Sequence, residues 1–169
     1  MNIKDLLFAL YPDILWIQGH PHNDFELADG KIVKWNAAKL GPLPTMEFLE
    51  QKAKDLEPQF LLEAQTQRCW AIKKLCEDKL ASHYSVFDLL SLSTTLMEAS
   101  ATGLTNRTKY LYPLKAWSAG AYDFFYAKQT EVLACKSVEE VQAVKDPDFS
   151  SWEALKPDVK YEAAMAIKD

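Results

Sequence analysis

The sequence predicts an α+β fold that is predominantly helical, with a small N-terminal antiparallel β-hairpin packed on a bundle of three to four helices. Glycine is scarce, at 5 of 169 residues, while 49 % of the residues are hydrophobic, as in packed globular chains. Glu, Lys, Gln, Leu and Ala dominate 45–82, and these residues favour helix. Asp29-Gly30 stands between two runs that contain strand formers, which is a strong hairpin signal.

The first 44 residues are predicted to form a small α/β module that begins with a helix. Apolar residues within 3–10 recur with helical spacing, and Asn2 is placed to cap the helix. Pro12 ends it, because the residue before a proline is biased away from the helical conformation. A connector containing glycine and prolines, 36–44, closes the module.

A small antiparallel sheet of two or three strands is expected within this module. The run 14–17 is rich in strand formers and is a candidate strand. In the hairpin, side-chain alternation places Phe25 and Leu27 on one face of the first strand, and Val33 and Trp35 on one face of the second. Trp35 is expected to anchor the hairpin on the helical body.

Residues 45–145 are predicted to form the helical bundle. Thr45 is a suitable N-cap for a helix that extends to about residue 82. Pro58 lies inside this helix, and because a mid-helix proline costs about 3 kcal/mol or more, we expect a kink or a break near 56–57.

Three more helices complete the predicted bundle. Ser85 is expected to cap a helix that ends near Gly103, and Thr105 or Asn106 opens an aromatic-rich helix that extends to about 136. Ser137 is followed three residues later by a glutamate, a capping-box pattern that predicts a short helix. Residues 146–169 are predicted to be a C-terminal tail docked on the body through four apolar anchors: Phe149, Trp152, Leu155 and Val159.

The charge and cysteine content exclude several functional classes. Twenty-four acidic against 19 basic residues give a net charge of −5, which disfavours nucleic acid and anionic membranes as partners. No stretch is long and apolar enough for a membrane span. The three cysteines are Cys69, Cys76 and Cys135, and their spacing predicts free thiols that pack as small hydrophobic residues.

The loop 20–24 holds the one cluster of residue types that bind metals. His20, His22 and Asp24 could contact a single ion, and a metal-dependent enzyme that uses this loop is an alternative function. Further ligands have no obvious source, so a polar turn without metal is favoured. No nucleotide-binding, zinc-protease or nucleophile-elbow motif is present, so we expect no cofactor and no catalytic residue.

Aromatic residues are unusually dense between Tyr110 and Tyr126. Their spacing covers more than one face of the predicted helix, which indicates a central helix buried on several sides. The surplus favours a protein-protein surface, since Tyr and Trp supply large contact areas. The candidate contact residues are Trp35, Tyr112, Trp117, Tyr122 and Tyr126.

The N-terminal third resembles a module of bacteriophage tail proteins. The stretch 24–36 (DFELADGKIVKWN), followed by Pro44-Thr45 and an acidic, leucine-containing helix start, is similar to the XkdW-type family and to the start of some tail fibre assembly proteins. The resemblance implies a non-enzymatic chaperone or small tail component that contacts a phage tail or tail fibre protein, with self-association as a further expectation. It also implies a location in the host cytoplasm during assembly or in the virion tail, and it carries no catalytic residue over. A phage effector that binds a host protein is a further alternative.

Overall fold

Helices and one hairpin make up the computed structural model, which describes residues 2–159, 163, 166 and 167, the side chains of 86 and 87 excepted. This confirms the predicted α+β, predominantly α class. The elements in chain order are α1 (Ile3–Leu10), β1 (Phe25–Ala28), β2 (Lys31–Trp35), α2 (Ala37–Leu40), α3 (Met46–Ala81), α4 (Val86–Ala101), α5 (Thr105–Ala134), α6 (Val138–Ala143) and α7 (Ser150–Ala154). Within the described residues, no helix combines the length and apolar character that a membrane crossing requires.

The chain divides into two compact units, Met1–Leu62 and Glu63–Asp169. The division falls inside α3, whereas the sequence predicted a boundary at residue 44. The reason lies in the first turns of α3, where Leu49 is buried in the same cluster as Leu7 and Phe25. The start of α3 therefore belongs to the N-terminal core.

The hairpin forms around Asp29 and Gly30, which both adopt positive φ, 49° and 72°. This is the backbone that a tight two-residue hairpin turn requires. Phe25 pairs with Trp35 in the antiparallel register, but the register shifts between Glu26 and Leu27. Val33 is the extra residue of this bulge.

The bulge makes one predicted pairing of faces wrong. Val33 is 61 % exposed, whereas Ile32 and Trp35 pack against the N-terminal core. Phe25 and Leu27 do share the core-facing side of β1. A one-residue insertion reverses the alternation of a strand, and the spacing of residues along a single strand contains no sign of it.

The predicted strand at 14–17 is also wrong, because this run forms no ladder with the hairpin. Side chains replace the ladder. The Leu15 amide donates to the Asp24 carboxylate at 2.7 Å, and the Ile17 amide donates to the Asn23 side-chain oxygen at 2.7 Å. The run has no regular secondary structure, and besides these side chains a backbone hydrogen bond holds it, from the Asp24 amide to the Leu15 carbonyl at 2.8 Å.

Helix α3 continues through Pro58, so of the predicted kink or break the break is wrong. Thr45 caps its start, since the Phe48 amide donates to the Thr45 hydroxyl at 3.2 Å. Each half of the helix has a buried anchor of its own, Leu49 before the proline and Ile72 after it. This packing offsets the local cost of the missing amide donor.

The core of the second unit lies between the end of α3 and helices α4, α5 and α7. It contains Leu80, Leu92, Leu96, Leu111, Leu114, Trp117, Ala121 and Trp152. Three of the four predicted tail anchors, Phe149, Trp152 and Val159, pack in or against it, but Leu155 is 76 % exposed and is not an anchor. Leu155 is the C-cap residue of α7. Beyond Val159, the predicted tail lies outside the described residues except for 163, 166 and 167.

Candidate functional site

The candidate site is the solvent-facing side of α5, a helix of 30 residues. Its opposite side is buried through Leu111, Leu114, Trp117, Ala121 and Val132. The first four recur at three- and four-residue intervals, and Val132 follows eleven residues, or three turns, after Ala121, so all five lie on one helix face. The burial of that face fixes the rotation of α5 and determines which residues point outward.

The outward side carries a row with a seven-residue period: Tyr112, Ala119, Tyr126 and Leu133. All four residues are exposed, with Tyr112 at 61 %, Tyr126 at 59 % and Leu133 at 54 %. A second row with the same period lies beside it and holds Lys115, Tyr122 and Gln129. We call these seven residues the α5 seam, which spans about 31 Å at 1.5 Å per residue.

A pair of stacked tryptophans holds the middle of α5. The rings of Trp117 and Trp152 are parallel within 8°, with centroids 4.1 Å apart. The Trp117 Nε1–H donates to the Trp152 carbonyl at 2.9 Å, and the Trp152 Nε1–H donates to the Trp117 carbonyl at 2.7 Å. Gly120 completes the fit, since a Cβ there would contact the Trp152 ring at 3.4 Å.

The C-terminal end of α5 is capped by a side chain from α3. The Gln65 amide nitrogen lies 3.4 Å from the carbonyl oxygens of Val132 and Leu133, and 3.2 Å from that of Cys135. The last carbonyls of a helix have no intrahelical partner. Gln65, itself buried, supplies a donor to them and thereby fixes the turn that carries Leu133.

The charges on the seam face are sparse and of both signs. Lys115 belongs to the seam and Asp123 lies next to it, and both are exposed. Within the part of the chain that the structure describes, neither residue forms an ion pair. Lys128 is paired with Glu131 at 2.6 Å. The face is therefore largely apolar and aromatic, and its charges at Lys115 and Asp123 are without an ion pair among the described residues.

The structure brings three of the five predicted contact residues together. Tyr112, Tyr122 and Tyr126 lie on the seam, Tyr122 being half-buried. Trp117 is only 7 % exposed, and its stacking on Trp152 makes it a core residue rather than a contact residue. Its place on α5 was predicted correctly, but its stacking partner lies 35 residues away, beyond any local pattern.

Trp35 belongs to the first unit and does not join the seam. Its ring packs edge-on against Tyr11 at 5.3 Å, and its Nε1–H donates to the Gly41 carbonyl at 2.9 Å. It is half-buried in a cluster that includes Leu49 of α3. Trp35 therefore anchors the hairpin within the N-terminal core.

The loop 20–24 does not assemble its candidate ligands. The Asp24 carboxylate accepts hydrogen bonds from Lys39 at 2.6 Å, Leu15 at 2.7 Å and Asn36 at 2.9 Å. The Lys39 ammonium is the largest cause, and the Leu15 amide the next, of an Asp24 pKa lowered to about 2. Among the described residues, no group of three or more His, Cys, Asp or Glu side chains is placed to hold a metal ion.

The two histidines of this loop contact each other instead. Their rings are 5.6 Å apart, and the His20 Nδ1 accepts a hydrogen bond from the His22 amide at 3.2 Å. The side chain of Asp24 is only 5 % exposed, and its hydrogen bonds organise the backbone around the hairpin. In this structure the Asp24 carboxylate therefore holds the loop in place through its hydrogen bonds.

The seam also contains residues that the aromatic pattern did not indicate. Lys115, Ala119, Gln129 and Leu133 are not aromatic. Counting in sevens from Tyr112 finds Ala119 and Leu133, and counting seven residues either way from Tyr122 finds Lys115 and Gln129. The prediction from aromatic residues used side-chain type and did not use the seven-residue period.

The comparisons with known proteins add no relative. No protein-family model matches the chain, and neither a curated protein nor a solved structure gives a significant match. The resemblance to phage tail proteins thus stays a prediction that depends on residues 24–49.

Proposed function

We propose that the protein is a non-enzymatic assembly protein of a bacteriophage tail or tail fibre, which acts by contacting other protein chains through the α5 seam. The observation that carries the proposal is the exposed seven-residue period of Tyr112, Ala119, Tyr126 and Leu133. Solvent-exposed apolar rows of this length are unusual on a helix without a partner.

The chemistry of the seam suits a protein partner. Tyrosine supplies a broad apolar ring and a polar hydroxyl, and it loses little side-chain entropy on binding. With the net charge of −5, the surface is poorly suited to nucleic acid. A second, smaller exposed position is Val33 on the hairpin, at 61 %, within the stretch that resembles phage tail modules.

The proposal predicts the effect of truncating the exposed tyrosines. Tyr112→Ala and Tyr126→Ala should each weaken binding to the phage tail or tail fibre protein by about 1 kcal/mol or more, because each removes a ring that the monomer leaves exposed. Titration calorimetry with a purified tail or tail fibre protein from the same genome measures this. The free energy of unfolding should change by less than about 0.5 kcal/mol.

A matched control is Met97→Ala on α4, since Met97 is 71 % exposed and lies outside the seam. Its binding should equal that of the wild type. If both tyrosine variants bound the tail or tail fibre protein as tightly as the wild type, the role of the seam would be overturned. A gene neighbourhood without tail genes, together with no binding to tail proteins, would overturn the phage assignment.

A further inference from the structure

We infer that the α5 seam is a self-association surface, and that its occupant is a second copy of this chain docked antiparallel along it. The inference rests on the contact function proposed above and adds a second copy of this chain to the partners of that surface. A two-fold dimer uses the same patch on both subunits, so the patch must be complementary to itself. The seam meets this condition in three independent pairs.

The first pair sets a large residue against a small one. In an antiparallel pair of helices, each row packs against the other row of the partner helix. A two-fold axis midway between Ala119 and Tyr122 places each of these residues opposite the other one of the second copy. Tyr122 packs in part against the core of its own unit and is half-buried. The methyl group of Ala119 leaves room for the exposed part of the Tyr122 ring, and the fit occurs twice.

The second pair matches a cation with an aromatic ring. The same axis sets Lys115 opposite Tyr126 of the second copy, where an ammonium over a ring is favourable. Asp123 lies one helical turn before Tyr126, so Lys115 meets a carboxylate beside the ring. Lys115 and Asp123 have no ion-pair partner among the described residues, and the dimer supplies one to each.

The third pair is polar. Tyr112 lies opposite Gln129 of the second copy, and a phenol hydroxyl and an amide can exchange a hydrogen bond. The two Lys115 side chains are then separated by about 16 Å along the axis, beyond the screening length of about 8–10 Å. A parallel pair would instead set Lys115 directly against Lys115, so the charges favour the antiparallel arrangement.

A charge exchange across the seam tests both the occupant and its direction. Sedimentation equilibrium of the full chain should show a monomer–dimer equilibrium, and Lys115→Glu and Tyr126→Lys should each lower the association constant by about tenfold or more. The double variant places a glutamate opposite a lysine twice, and its association constant should recover to within about threefold of the wild-type value. Met97→Lys, on the exposed face of α4, is the control and should leave the constant unchanged.

Each outcome has a distinct meaning. A wild-type chain that stays monomeric to millimolar concentration, or single variants whose association constant equals that of the wild type, would overturn the inference. Dimer loss without recovery in the double variant would overturn the antiparallel pairing, since a parallel pair sets like charges together. Circular dichroism checks that the variants are folded.

The same variants separate this inference from the proposed function. If the chain is monomeric but Tyr126→Lys abolishes binding to the tail or tail fibre protein, the inference fails and the proposed function stands. If the dimer behaves as expected and no tail protein binds, the phage assignment fails and the self-association stands.

Discussion

Removal of the Trp152 ring is the sharpest test of how the second unit is held together. Trp152 is 5 % exposed, and its ring stacks on Trp117 at 4.1 Å. Trp152→Ala removes a buried indole, for which core truncations cost about 3–5 kcal/mol. For a chain of this size, this corresponds to a fall in melting temperature of about 6–20 °C.

A conservative variant separates ring burial from the hydrogen bond. Trp152→Phe keeps an aromatic ring but loses the Nε1–H that donates to the Trp117 carbonyl at 2.7 Å. The lost bond contributes about 1 kcal/mol and the smaller stacked area about another 0.5–1.5 kcal/mol. The phenylalanine variant should therefore lose about half as much stability as the alanine variant.

The assay is urea unfolding followed by far-ultraviolet circular dichroism, with Trp70→Ala as the matched control. Trp70 lies on α3 and is 68 % exposed, so its removal should change the free energy of unfolding by less than about 0.5 kcal/mol. Equal stability of Trp152→Ala and Trp70→Ala would refute the packing of α7 on α5.

Three further predictions concern the hairpin and a helix cap. Trp35→Ala should lower the free energy of unfolding by about 2–3 kcal/mol, less than for a fully buried ring, because the ring is half-buried but its Nε1–H is hydrogen-bonded to a backbone carbonyl. Thermal unfolding measures this, with Val33→Ala at an exposed position as the control. The ionised form of Asp24 stabilises the fold, because its pKa is lowered from 3.8 to about 2. This contribution should be complete above pH 4 and be lost as the pH falls through about 2. In urea titrations, Asp24→Asn should be less stable than the wild type at pH 6, and the difference in free energy of unfolding should shrink on acidification; a difference that does not change with pH would contradict this. Ser85→Ala should cost about 1 kcal/mol, since it removes the hydroxyl that accepts the Asp88 amide at 3.1 Å; an unchanged urea midpoint would show that α4 does not need this cap.

Local chemistry explains why much of the fold could be predicted. Ser85 caps α4 by exchanging hydrogen bonds with Asp88, and Ser137 accepts the Glu140 amide at the start of α6. Asp29 and Gly30 form the predicted turn. In each case the interacting groups lie within a few residues, so the sequence pattern contains both partners.

The errors arose where a partner is distant or where neighbours outweigh a local preference. The stacking of Trp117 on Trp152 joins residues that lie 35 positions apart, and no spacing rule indicates it. The bulge at Val33 depends on the register of the opposing strand. Pro58 disfavours helix locally, but packing on both sides of it maintains α3. The tyrosines of the seam were predicted from side-chain type. The rotation of α5 that burial sets is what places Tyr112 and Tyr126 in an exposed row, with Tyr122 in the row beside it.

The cap that Gln65 provides has a consequence for genetics. Its amide reaches the Val132 carbonyl from a position 67 residues earlier in the chain, and Leu133 lies on the same turn. A Gln65→Glu change would replace the donor with a carboxylate that faces carbonyl oxygens at the negative end of a helix, and would loosen that end of the seam. In a screen for lost protein contacts, substitutions at this buried position should therefore be recovered together with substitutions on the exposed surface. Substitutions that weaken the interface would then also map to α3, at Gln65, which lies outside the contact surface itself.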